Sequence, residues 1–176
     1  LGCKNFVLSQ DTSISIEKYI KQNGGTVYRS KVGEANVAAK MVETKSQVGG
    51  EGSSGGFILS DFNYCRDGIL TSGLIASIIK KEKFADALNF MEKYYIKRDK
   101  IEYDSEHHDE ILKALHDKMK ERFSNVDTLD GLKVTVDEDS WVLVRRSNTE
   151  NAIRVSAESN SLEKVRNIDQ EIKDLI

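Results

Sequence analysis

The stretch from Trp141 to Val155 constrains the fold more than any other. Trp141, Val142, Leu143 and Val144 form one apolar run, and Ala152, Ile153 and Val155 belong to a second. Between them stand Arg145, Arg146, Ser147, Asn148, Thr149 and Glu150. Short apolar runs on either side of a polar turn read as two neighbouring strands joined by a charged loop. Arginine carries a planar fork of donors that matches phosphate oxygens. Ser147, Asn148 and Thr149 add side-chain donors, and a tight loop can add backbone N–H groups. The same residues also describe an exposed turn with solvated charges, and composition does not separate the two readings.

A chain of 176 residues fits one large or two small domains. At 39% hydrophobic and 31% charged it is globular, neither disordered nor membranous. Its net charge of -3 argues against general nucleic-acid binding. No apolar run reaches the roughly 18 residues that suggest a membrane span, and the apolar start is too short for a signal peptide. The two cysteines, Cys3 and Cys65, make neither a disulfide framework nor a zinc pattern. A cytoplasmic setting is the expectation. The chain opens on Leu1, which suggests a piece of something longer. It contains no proline, where average usage would give roughly nine; an engineered proline-free chain and an unusual natural composition both fit.

In the first half, Phe6–Leu8 reads as a strand, Ile14–Ile20 as a helix stopped by Gly24 and Gly25, and Thr26–Tyr28 as a strand. A second helix follows Gly33, with Val37, Ala38, Met41 and Val42 on one face. This β-α-β-α order predicts an α/β layer domain. Val48 to Leu59 holds five glycines around Glu51, Ser53 and Ser54 and ends in an apolar strand. Glu51 and Ser53 lie two apart, so an extended segment would point both the same way. A carboxylate beside a hydroxyl can grip vicinal sugar hydroxyls; a flexible hairpin with incidental polar residues is the competing reading. Asp67 is the expected N-cap of a helix over Ile69–Lys81, whose apolar residues run round much of its circumference and predict deep burial.

A connector helix is expected over 83–95, separating domains 1–82 and 96–176. The second domain reads β-α-β-β-β-α, an α+β layer with helices on one sheet face. The acidic, histidine-bearing run Asp104–Glu110 matches no metal motif, and acidic residues at a helix start are ordinary dipole complements. No metal ligand is expected in the chain. Asn160 with Glu163 suggests a capping box before the last helix.

Four of these stretches, in order, resemble the α-D-phosphohexomutases, the family of phosphomannomutase, phosphoglucomutase and phosphoglucosamine mutase. Gly50-Glu51-Gly52-Ser53 resembles the family's sugar loop G-E-x-S-G. Arg145-Arg146-Ser147-Asn148-Thr149-Glu150-Asn151-Ala152-Ile153-Arg154 resembles its phosphate loop R-P-S-[GN]-T-E-P-x-x-R. Lys31-Val32-Gly33-Glu34 resembles T-x-V-G-[DEH], and Arg66-Asp67-Gly68-Ile69 the D-G-[IM] helix start. The resemblance implies the third and fourth of four domains, a βαβ-type sandwich followed by a TATA-box-binding-protein-like domain. It implies that Glu51, Ser53, Glu34 and Lys31 meet the sugar, and that Arg145, Ser147, Asn148, Thr149 and Arg154 meet the phosphate. The family reaction interconverts hexose 6-phosphate and hexose 1-phosphate through a phosphoserine, a magnesium ion and a hexose 1,6-bisphosphate intermediate. The serine loop T-[AG]-S-H-[NF]-P and the metal loop D-x-D-x-D-R of the family's first two domains do not occur in this sequence. The resemblance therefore implies a phosphosugar and the missing N-terminal domains as partners, and a chain inactive alone. A noncatalytic sugar-phosphate-binding or interaction module is the alternative, and phosphoglucosamine mutase an alternative parent. Two family prolines are replaced, by Arg146 and Asn151, a change that removes a restraint on the phosphate loop.

Overall fold

The computed structural model describes residues 2–81, 89, 91–102, 108–147 and 150–175. They form two compact units, Leu1–Lys93 and Tyr94–Ile176. The connector helix expected over 83–95 falls largely outside the described residues, and so do Asp104–His107 of the acidic run.

The first unit alternates strand and helix: β1 (Asn5–Ser9), α1 (Ile14–Gln22), β2 (Thr26–Ser30), α2 (Glu34–Thr44), β3 (Val48–Glu51), β4 (Gly56–Leu59) and α3 (Gly68–Lys81). The sheet order is β2-β1-β3-β4, with the first three strands parallel and β4 antiparallel to β3. Parallel neighbours need a crossover, and α1 and α2 supply the two required. Val7 and Ile58 on the sheet close a core with Val37 and Met41 of α2. Both α2 residues are buried as expected, but Val42 is 61% exposed; it sits one residue, about 100° of helix rotation, beyond Met41 and misses the sheet.

The glycines of β3 have a packing role rather than a flexibility role. A Cβ on Gly49 would come within 2.4 Å of the Met41 sulfur and 2.8 Å of a Val37 methyl. A bare backbone there lets α2 lie close against the sheet.

The second unit carries β5 (Tyr95–Glu102), α4 (His108–Arg122), β6 (Val126–Asp127), β7 (Leu132–Asp137), β8 (Ser140–Arg146), β9 (Ala152–Ser159) and α5 (Leu162–Lys173). Its five-stranded sheet, in order β5-β9-β8-β7-β6, is antiparallel throughout. The two-residue strand β6 is an addition to the expected order. Alternation puts Val142, Val144, Val155 and Ala157 toward the helices. There they meet Leu115 and Met119 of α4 and Val165, Ile168 and Ile172 of α5. This is the α+β layer expected, with both helices on one face. The cap of α5 is Ser161, whose hydroxyl accepts from the Lys164 amide at 3.3 Å; Asn160 instead donates to Asp139 at 2.9 Å. The sequence pattern placed the cap one residue early.

Candidate functional site: a sugar loop and a phosphate loop

The glycine-rich loop expected to meet the sugar is the turn between β3 and β4. Glu51 ends β3 and is only 4% exposed. Its two carboxylate oxygens accept from the hydroxyls of Ser53 and Ser54, one each. Burial pushes the Glu51 carboxyl up, but these hydroxyls and the charge of Arg66 outweigh it and hold the group below the usual carboxylate range. Ser53 therefore meets Glu51 as expected, though a turn brings it there and not extended geometry. Arg66 Nη1, 3.5 Å from Oε2, and the Ser53 backbone amide add to these donors, so a further hydroxyl would reach the carboxylate by replacing one of them.

Arg66 ties this turn to the start of α2. Its Nη1 donates to Ser54 at 2.5 Å and stands 3.5 Å from Glu51. Its Nε and backbone amide donate to Glu34 at 2.6 and 3.0 Å. The Arg66 hydrogen bond is the main reason the Glu34 carboxyl lies below its ordinary value. Glu34 is thus joined to the Glu51 cluster. Lys31 is exposed on the connection three residues before it, and no hydrogen bond or ion pair among the described residues joins Lys31 to that cluster. Arg66 was read only as part of a helix start; its separation from Glu51 in sequence hid the contact.

Beneath the loop lies a buried polar support. The Gly52 amide donates to the Ser9 hydroxyl at 2.9 Å, and Ser9 donates to Asp11 at 2.6 Å. A Cβ on Gly52 would meet backbone atoms of Asp11 and Thr12 at 2.6–2.7 Å. Arg29 clamps the same segment through the Ser9 and Thr12 carbonyls, at 2.8 and 3.0 Å, and its Nε donates to Glu17 at 2.9 Å.

In the second unit, the turn between β8 and β9 is closed by the Ser147 amide donating to the Ala152 carbonyl at 2.8 Å. That amide is committed, so Ser147, itself buried, has its hydroxyl left to offer an anion. Asn148 and Thr149 lie outside the described residues. Register places Arg145 directly opposite Arg154, and Arg154 directly opposite Lys100 of β5. Residues directly opposite share a face, so three cations stand in a row across three strands. Two carboxylates offset part of this charge: Glu150 accepts from Arg154 at 3.0 Å and lies 3.2 Å from Lys100, and Glu102 lies 2.8 Å from Lys100. Arg145 Nη1 donates to the Arg146 carbonyl at 3.1 Å, and Arg146 itself is exposed. Lys100 was missed in the sequence because strand register is invisible there; its only signal was a cation in a strand-like segment. Among the described residues no three histidine, cysteine, aspartate or glutamate side chains converge as a metal site.

Two family profiles match this arrangement. One, for the α/β/α domain III of phosphoglucomutase/phosphomannomutase, covers residues 2–94, and the other, for the C-terminal domain, covers residues 100–175. The chain belongs to the phosphoglucomutase/phosphomannomutase family. It is 33% identical to the probable phosphoglucosamine mutase of Methanopyrus kandleri, over 99% of this chain and 39% of that protein. It is 37% identical to the phosphoglucomutase/phosphomannomutase of Thermococcus kodakarensis, over 88% of this chain and 34% of that protein. The crystal structure of a phosphoglucomutase/phosphomannomutase family protein from Burkholderia thailandensis superposes with a TM-score of 0.81. The identity is 22%, and the match covers 98% of this chain and 37% of that one. The N-acetylphosphoglucosamine mutase of Aspergillus fumigatus, solved with GlcNAc-6P and magnesium, superposes with a TM-score of 0.61 at 16% identity, over 98% of this chain and 41% of that one. The chain thus spans well under half the length of the relatives it matches.

Proposed function

We propose that this chain is the sugar- and phosphate-holding half of a phosphohexomutase that interconverts hexose 6-phosphate and hexose 1-phosphate. The observation that carries the reading is the row Arg145–Arg154–Lys100 beside the β8–β9 turn. Like charges directly opposite on neighbouring strands cost stability, and two carboxylates, Glu150 and Glu102, leave the three cations one charge in excess. A phosphate anion would be drawn to that excess. Arg145 and the Ser147 hydroxyl, with Asn148 and Thr149, grip the non-reacting phosphate; Arg154 shapes the turn and adds charge. Glu51 and Ser53 accept and donate to sugar hydroxyls in either orientation of the substrate, with Glu34 held close by Arg66 and Lys31 reaching from the β2–α2 connection.

In the complete enzyme, a magnesium ion held outside this chain would supply charge stabilisation to the transferring phosphoryl group, and a phosphoserine of the missing domains would exchange it with the sugar by way of hexose 1,6-bisphosphate. None of these steps is assigned to residues of this chain, which binds and orients. We infer that it is inactive alone, that its catalytic partner is the family's N-terminal half, and that it works in the cytoplasm. The names of several relatives favour a phosphoglucosamine mutase parent. The test is a titration of the chain with glucose 6-phosphate and with glucosamine 6-phosphate, followed by amide shifts. Shifts at both loops are expected; silence at Arg145–Ser147 would remove the reading.

A further inference from the structure

Gly56 pairs directly with Glu51 across the β3–β4 turn, so a side chain at that position would share a face with the carboxylate. The space is already taken: a Cβ on Gly56 would stand 2.0 Å from Arg66 Cδ and 2.5 Å from its Cγ. The glycine leaves a seat, and the stem of Arg66, reaching over from the start of α3, fills it. Seated there, the guanidinium divides its donors. Nε goes to Glu34, and Nη1 goes to Ser54 and Glu51. Among the described residues no hydrogen bond or ion pair engages the N–H groups of Nη2. Arg66 also lines a cavity of about 350 Å³, together with Ser54, Gly56, Asp67, Thr71 and Ser72, a volume at the lower end of small-molecule sites. The Thr71 and Ser72 hydroxyls donate to the carbonyls of Asp67 and Gly68 at 2.6 and 2.7 Å, and the Ser54 hydroxyl donates to Glu51. Their protons are spent, so toward a ligand they act as acceptors, as does the Asp67 carboxylate.

We propose that Arg66 is a substrate-contacting residue and that this cavity receives the hydroxyl-bearing ring of the sugar, with Nη2 donating to a ring hydroxyl oxygen while the cavity's acceptors take hydroxyl protons. The proposal rests on the reading of the β3–β4 loop as the sugar loop. One uncommitted donor group among acceptor oxygens calls for a ligand group that both accepts and donates, and a hydroxyl does both. A phosphate does not suit the cavity. Three carboxylates, Glu34, Glu51 and Asp67, surround the one guanidinium and leave two negative charges in excess. The anion is therefore left to Arg145 and Ser147, and the cavity beside Arg66 takes the neutral part of the molecule. The residue type matters as well as its charge. A lysine could keep an ion pair with Glu34, but a single ammonium cannot hold Glu34 and Ser54 and extend another arm to a ligand.

The experiment titrates the isotope-labelled 176-residue chain with glucose 6-phosphate and, separately, with inorganic phosphate. It follows the arginine side-chain N–H signals, that of Arg66 being assigned by its loss in Arg66→Lys. A saturable shift of the Arg66 signal with glucose 6-phosphate and none with inorganic phosphate is expected. Arg66→Lys, its folding verified by spectral dispersion, should bind glucose 6-phosphate about tenfold more weakly and inorganic phosphate as the unaltered chain does. Gly56→Ala keeps the guanidinium but takes away its seat, and should weaken glucose 6-phosphate binding in the same way. Three results would overturn the proposal and leave the sugar loop standing: an Arg66 signal unmoved while the Gly50–Ser54 amides shift, an Arg66 shift of equal size with inorganic phosphate, or undiminished affinity in Arg66→Lys. Silence at Gly50–Ser54 with glucose 6-phosphate would instead remove the sugar-loop reading, and this proposal with it.

Discussion

At the residue scale the chemistry rests on few side chains. A charge-assisted hydrogen bond contributes about 1.5–3 kcal/mol, so Arg145→Ala should weaken hexose phosphate binding by roughly 10- to 100-fold, measured by calorimetry or amide shifts. An unchanged affinity would place the phosphate elsewhere. Glu17 gives a pH prediction. Burial raises its carboxyl, but Arg29 and Lys21 outweigh burial and its value falls below 4.5. A depressed folded value contributes stability above the unfolded value, and that contribution is lost as pH falls through the folded one. Glu17→Gln should therefore flatten the acid side of the urea-stability curve below about pH 4.5 and lower stability at pH 7. Of the candidate residues, Glu51, Ser53, Arg145 and Arg154 were legible in the sequence because their motifs are local. Arg66 and Lys100 were not. One reaches Glu51 across a loop, and the other reaches Arg154 through strand register, neither of which spacing along the chain reveals.

At the element scale, glycines with different surroundings should respond in opposite directions. Gly49→Ala drives a Cβ into Met41 and Val37 and should cost about 1–3 kcal/mol as overpacking. Gly73→Ala, in mid-helix with open space around it, should stabilise by about 0.5–1 kcal/mol through helix propensity. Thermal denaturation of the two variants decides both signs. Strands and helices were largely readable because period-2 and period-3.6 patterns report them directly. Helix α3 shows the limit of that reading. Apolar residues round its circumference predicted deep burial, yet Ile69 and Ile79 lie open. A hydrophobic pattern reports that a surface wants covering and does not report what covers it.

At the scale of the whole molecule, two compact units each carry one loop, and the family's phosphoryl-transferring serine and metal loops are absent from the sequence. The purified chain should leave glucose 1-phosphate unconverted over hours in a coupled assay with magnesium and glucose 1,6-bisphosphate present; turnover would mean that the chain holds a nucleophile of its own. The acidic balance, net charge -3, makes the local row Arg145–Arg154–Lys100 the more telling, since the chain as a whole does not attract anions. The most direct measurement is an inorganic phosphate titration of the isotope-labelled chain at low salt. Saturable shifts at Arg145, Ser147 and Arg154, abolished in Arg145→Ala, are expected. Shifts scattered over the surface, or retained in that variant, would contradict a phosphate clamp at the β8–β9 turn.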